Sequence, residues 1–352
     1  EVETIREKWR LRFDVVVVLD GVLRPELSQV GAYKISPLRF DSLSPLSFED
    51  GWGGLSVALA RPGFDLAITA QAAGPTLRPL LIIQAHSGKM NWATSLNRIV
   101  VSANCSAEVA CLALGPSEKY LRSDMTVVEL GVTSRLSFVR VQQDSLDSFH
   151  FSEVQARVAS GAQLHLAQLN GGSAWSRTSL RSQITGELGE CHVNGLTFGR
   201  AHQHVDQRVE IRHSAANTVS SQLFKGVLKD SARGILNGKI AIERDAQKVL
   251  SSQMNHNLLL SKTAEADTKP ELEIYADDVK ANHGASVGRM DEEKLFYLMS
   301  RGIARAQAQQ ILAHAFVGDV LMKIEPALLR EFADESVRGW LPDFMAGMEA
   351  HV

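Results

Sequence analysis

Cysteine is scarce in this chain. Its three residues, Cys105, Cys111 and Cys191, form an odd set with no CxxC spacing, which excludes a disulfide framework and a zinc ribbon and suits a reducing, cytoplasmic compartment. A dominant charge is lacking too: the net charge of -3 and pI near 6.5 argue against nucleic acid as the main partner, since phosphate binding needs a concentrated basic surface. Long apolar runs are missing. Val15 to Leu19, the longest near the start, falls far short of the roughly 20 residues of a membrane-spanning helix, and no signal-peptide pattern precedes it. The chain begins at Glu1 rather than Met, which leaves room for residues upstream. Aromatics make up only 6%, but 45% hydrophobic and 22% charged residues exclude disorder and leave a soluble globular protein.

Glu1 to Arg12 is charged and helix-compatible, and Phe13 to Leu19 reads as a buried strand. Ser36 to Pro79, punctuated by prolines and glycines, reads as loop with one helix at most. Short strands rich in Val, Ile and Leu follow at 80–84, 98–102, 108–113, 126–130, 148–158, 163–170, 180–185, 190–198, 207–213 and 219–228. No helix separates them, so a doubly wound sheet or an α/β barrel is excluded and an all-β fold remains. Small-residue turns with alanine recur at Ser231-Ala232, Asp245-Ala246, Glu265-Ala266 and Gly284-Ala285, spaced by 14, 20 and 19 residues, which suits the rungs of a parallel β-helix. A sandwich fits the short strands as well. The tail is helical: Asp291 caps a helix with Glu292 and Glu293 in its first turn and Gly302 at its end. A second helix, Ala304 to Ile324, carries Ile311, Leu312, Phe316 and Val320 on one stripe and stops at Pro326; Leu328 to Met348 reads as one or two short helices. The division expected is an N-terminal strand and loop region (1–79), a β-helix core (80–290) and a C-terminal helical domain (291–352).

Several motifs carry possible chemistry. Gly284-Ala285-Ser286-Val287-Gly288 fits G-x-S-x-G, which would put Ser286 on a sharp strand-to-helix turn as a hydrolase nucleophile, with His314 and His351 following it. No α/β sheet or oxyanion-hole segment accompanies it, and Gly and Ser are common turn residues. Gly234-Ile235-Leu236-Asn237-Gly238-Lys239 approximates a phosphate loop, but with three residues between the glycines and Ile240 in place of the magnesium-binding hydroxyl it reads as a turn between rungs. His202, His204 and His213 could share a metal, although histidines on strands are more often hydrogen-bonded structural groups. His283, where the β pattern ends, reads as an exposed turn histidine with Asp277 and Asp278 a few residues upstream.

Five blocks set the chain beside a known family: Ser221 to Leu228 (SQLFKGVL), Leu236 to Ala241 (LNGKIA), Asn257 to Ser261 (NLLLS), Asp267 to Val279 (DTKPELEIYADDV) and His283 to Ile303. Together they closely resemble the SufB/SufD family of iron–sulfur cluster assembly proteins. His283-Gly284-Ala285-Ser286-Val287-Gly288 resembles the SufD branch rather than the cysteine and His-Glu pattern of SufB, and Ala281 stands where many SufD members have cysteine. The resemblance implies a right-handed parallel β-helix core with a C-terminal α-helical domain, and a non-catalytic scaffold subunit that lacks most of the family's N-terminal helical region. It implies pairing with SufB, or with itself in isolation, and binding of the SufC ATPase through the C-terminal helices, where Asp291, Leu295, Phe296, Tyr297, Arg301, Ile311 and Phe316 are the partner-facing candidates. It also implies that His283 ligates iron or a nascent iron–sulfur cluster shared with SufB, no cofactor being held tightly by this chain alone.

Overall fold

A computed structural model describes residues 1–43, 51–69 and 77–345, so parts of the expected loop region and the end of the tail, His351 included, lie outside the described residues. Two sheets, of ten and nine strands, face each other, and the chain alternates between them: Phe149–Val158 lies in the second, Gln163–Asn170 in the first and Trp175–Ile184 again in the second. Through the core, neighbours within a sheet are parallel and in register, Phe149 beside Trp175 and Arg233 beside Glu265. A parallel β-helix is therefore formed, two strands to a rung. The N-terminal region contributes to it, since Asp14–Leu19 pairs with Leu80–Ala85 and Arg61–Ile68 with Trp92–Val101.

From Leu80 onward, strand pairs place equivalent residues 26 to 32 positions apart, as in Phe149 with Trp175 and Arg233 with Glu265. The alanine spacing near 20 is not the rung. Ala232 and Ala246 are buried at corners, but Ala266 lies in strand Glu265–Ile274 and Ala285 in strand Val279–Arg289. The repeat that does mark the rung is conformational. Asn104, Thr133, Gly161, Leu188, Asn217 and Lys248 all have φ between 55° and 63° and occupy the same corner of successive rungs. There the amides of Asn104, Thr133 and Gly161 donate to the carbonyls of Val132, Ser160 and Glu187 on the next rung. Several strands have no counterpart among those expected from sequence, Arg135–Gln142 among them, and Arg61–Ile68 corrects the expectation of loop over 36–79: Phe64, Leu66 and Ile68 are buried and hold it in the sheet.

The two sheets differ in what covers them. Helix α1 (Val2–Trp9) packs against the outer face of the ten-stranded sheet, and α2 (Gly51–Ala58) lies against the other sheet. After α3 (Glu292–Ser300), α4 (Arg305–Met322) runs back over strands Glu190–Gly199 and Val219–Leu228. Next, α5 (Ala327–Met345) covers Ser106–Leu114 and Arg135–Gln142, with Trp9, Phe13 and Phe332 packed edge to face. Buried on both faces, strands such as Asp14–Leu19 and Leu80–Ala85 read as near-continuous apolar runs, interrupted only by Asp14 and Gln84. Phe149–Val158 and Trp175–Ile184, with one wet face, alternate instead. The last segment is one helix with Pro342 inside it, held by the burial of Leu341, Phe344 and Met345 rather than broken into two.

The interior is apolar along Leu136, Phe138, Val154, Leu164 and Val193 but carries a charged knot beside them. His150 bonds Asp144 through Nδ1 (2.6 Å) and Asp124 through Nε2 (3.0 Å), while Arg122 and Arg140 pair with Asp144 and Asp124. Burial alone would push the His150 pKa down; the two carboxylates override it and leave the imidazolium favoured.

Two outcomes follow from the corners and the knot. Leu188 is exposed and left-handed, a conformation that costs a non-glycine residue about 1–2 kcal/mol; Leu188→Asn should stabilise the chain by up to about 1 kcal/mol in urea unfolding. Because the native pKa of His150 is raised, its stabilisation is complete below the unfolded value of about 6.5 and is lost as pH rises through the native value. The stability gap between the natural chain and His150→Gln, about 3–5 kcal/mol at acid pH, should therefore narrow as pH rises above about 7.

Candidate functional site

The last rung is where the solenoid stops without a cap. Strand Val279–Arg289 is the outermost of the ten-stranded sheet, paired on one side only, with Val249–Leu259. Every second backbone N–H and C=O on its free side lacks a strand partner among the described residues. The other sheet ends in Glu265–Ile274, which carries Pro270 in mid-strand; a proline has no N–H to donate, so this edge resists further pairing. No proline interrupts Val279–Arg289. Of the two ends, it alone is open to a neighbouring strand.

His283 lies within this strand, not in a turn, and it is exposed. Its in-register neighbour is Gln253, one of the inward residues Val249, Ser251, Gln253 and Asn255. His283 thus continues the row that faces the interior on earlier rungs, at a point where the interior opens to solvent. Among the described residues it has no hydrogen-bond partner. Asp277 and Asp278 do not join it: they lie in the corner before the strand, where Asp278 is engaged with Gln247 and Lys248. Ala281, two residues away on the same face, packs toward Ile240, Ile242 and Val249. No thiolate stands near, since Cys105, Cys111 and Cys191 are buried, and burial pushes the thiols of Cys111 and Cys191 up to about 12.

Ser286 is corrected by the same geometry. It lies mid-strand rather than on an elbow, and its hydroxyl bonds Nδ1 of His256 at 2.7 Å, a histidine that precedes it by one rung. His314 is held elsewhere, its Nε2 2.8 Å from Asp334, as a clasp between α4 and α5. The glycines of 234–238 form no turn between rungs either; they lie in strand Arg233–Ile242. His202, His204 and His213 do not converge: His202 is exposed, whereas His213 is buried, hydrogen-bonded to Thr218 and Ser220, and pushed by burial down to about 4. No three His, Cys, Asp or Glu side chains among the described residues are grouped to hold a metal ion. No described helix is long and apolar enough to cross a membrane.

The tail candidates separate into anchors and exposed groups. Asp291 caps α3, accepting from the amides of Glu293 and Lys294, and Leu295 is buried. Phe316 is half-buried against the core beneath α4, where the buried ammonium of Lys225 lies 4.7 Å above its ring and bonds Asp319 at 2.7 Å. That ion pair fastens α4 to the solenoid, a role that Lys225 inside SQLFKGVL did not betray. Phe296 is 73% exposed and Tyr297 58%, with Arg301 stacked 5.2 Å from the Tyr297 ring; Ile311 is 42% exposed.

The chain matches the SufBD core domain of SUF-system iron–sulfur cluster assembly over residues 83–316. It is 31% identical to the iron–sulfur cluster assembly protein SufD of Escherichia coli over 249 residues, 69% of this chain and 59% of that protein. A SufBD family protein of Synechocystis is 30% identical over 251 residues, 71% of this chain and 54% of the relative. Bacillus subtilis SufD is 35% identical over 159 residues, 45% of this chain and 36% of the relative. The chain thus spans little more than half the length of the first two.

An uncapped edge has a measurable signature. In the isolated chain, the amides of Val279–Arg289 that face away from Val249–Leu259 should exchange with deuterium within minutes, while those of Glu190–Gly199, paired on both sides, should approach the global unfolding limit.

Proposed function

From the SufB/SufD family, to which this chain belongs, we propose that it serves as a SufD-like scaffold subunit on which iron and sulfide become a nascent cluster, without catalysis of its own. The observation that carries this is the open strand Val279–Arg289 presenting one unpartnered imidazole and no other ligand. A single histidine cannot fill the coordination sphere of iron. The remaining ligands come from a second chain laid along the same edge, which on this reading is SufB in the cytoplasm, or a second copy when SufB is absent. Strand addition supplies main-chain hydrogen bonds to that docking.

The chemistry is consistent with release rather than storage. Imidazole suits iron, and replacing one thiolate by a neutral ligand lowers the negative charge around a cluster. A site split between two chains can also be taken apart by moving them. The tail gives that motion a handle: Phe296, Tyr297, Arg301 and Ile311 form a mixed aromatic and cationic surface suited to SufC, fixed beneath by Asp291, Leu295 and Phe316.

The test is reconstitution with SufB and SufC. His283→Ala should lower cluster yield, read by visible absorption, by about tenfold or more, while Ser286→Ala leaves it unchanged. Equal yields from the natural chain and His283→Ala would sink the ligand role. Phe296→Asp should abolish co-purification of SufC without altering the thermal melt.

A further inference from the structure

Behind His283 stands a column of amides. His283 is in register with Gln253, and Gln253 with Gln222 one rung deeper. Parallel in-register neighbours lie about 4.8 Å apart with side chains on the same face, so the three form one polar file that ends at the open edge. Gln222 and Gln253 are each only 2% exposed. Neither amide atom of Gln222 has a hydrogen-bond partner, and Oε1 of Gln253 has none either. Unpaired buried amide groups cost about 1–3 kcal/mol, and the fold does not require them here, because the next two members of the same row are Val193 and Leu166.

The facing sheet makes room for this file. A Cβ on Gly238 would fall 1.8 Å from Nε2 of Gln253, so the glycine's missing side chain is the space the amide fills. The motif that looked like a phosphate loop thus accommodates a buried glutamine.

We propose that Gln253 is a positioning residue for His283: a side-chain rotation brings its Oε1, unpaired in this structure, to accept the N–H of one ring nitrogen, which fixes the tautomer and turns the other nitrogen outward across the edge. A ligating histidine needs such a partner to hold its ring and choose which nitrogen is free. Gln222 sits behind, able to donate to the second lone pair of the same oxygen. The inference rests on the reading of His283 as a ligand, yet its geometry can be tested without metal.

The measurement is nitrogen NMR on the full chain with 15N-labelled histidine, the His283 signals being assigned by their loss in His283→Ala. The natural chain should show one dominant neutral tautomer at His283, Gln253→Leu an averaged pair, and Gln253→Glu, which keeps the acceptor, the single tautomer again. Should Gln253→Leu fail to fold, Gln253→Met, close in length and volume, carries the same readout. An averaged tautomer in the natural chain, or one unchanged in Gln253→Leu, overturns the proposal and leaves buried water as the partner of these amides. In the complex with SufB, Gln253→Leu should weaken Fe2+ retention by about 10–100-fold. If His283→Ala leaves retention intact, the ligand reading fails while a tautomer locked by Gln253 still stands. If His283→Ala abolishes retention and Gln253→Leu leaves the tautomer alone, only the positioning role fails.

Discussion

In-register parallel pairing between residues one rung apart is the constraint on which the rest of this molecule depends. It turns distant sequence positions into neighbours, Gln222 to Gln253 to His283 along one row and Asp124 to Ser152 to Thr178 along another. The register is held at a corner where successive rungs adopt a left-handed residue and, except at Leu188, donate its amide to the next. A slip of one residue would exchange the inward and outward faces of every strand beyond it. It would expel the interior apolar rows and bury the arginine and glutamate side chains of the solvent face.

Covering one sheet and exposing the other divides the labour. The helical tail folds back over the ten-stranded sheet and closes a second apolar core with it, anchored near the open end by Lys225 and Asp319. The tail also adjoins the terminal strand in sequence, since α3 begins within a few residues of Arg289. The two edges at that end are unequal, one carrying Pro270 in mid-strand, the other free of proline and presenting His283. An unpaired strand of this kind is a template for a further strand, which is what the proposed docking uses.

Much of this could be read from the residues, and the exceptions have physical causes. The uninterrupted succession of strands without intervening helices announced an all-β solenoid or sandwich, and the cap at Asp291 and the stop at Gly302 located α3 correctly. The rung length was hidden because the corner repeats a conformation rather than a residue. Asn104, Gly161 and Asn217 favour left-handed backbone, but Thr133, Leu188 and Lys248 do not, so no sequence period of about 30 stands out. Ser286 and the 234–238 glycines look like turn chemistry locally. Inside a solenoid a glycine can serve close approach between sheets rather than a bend, as the contact between Gly238 and Gln253 illustrates.

The sequence by itself determined the class of the fold, the helical character of the tail and, through the matching blocks, the family; it also made His283 a candidate. Those properties are local: strand periodicity, capping residues and short motifs are written within a few positions of one another. Only the tertiary structure decided that His283 ends an interior row, that Gln253 stands directly behind it and that Lys225 fastens α4 two strands in from that edge. These contacts join residues about 30 and 94 positions apart, and their partners are chosen by rung register, which no local pattern encodes.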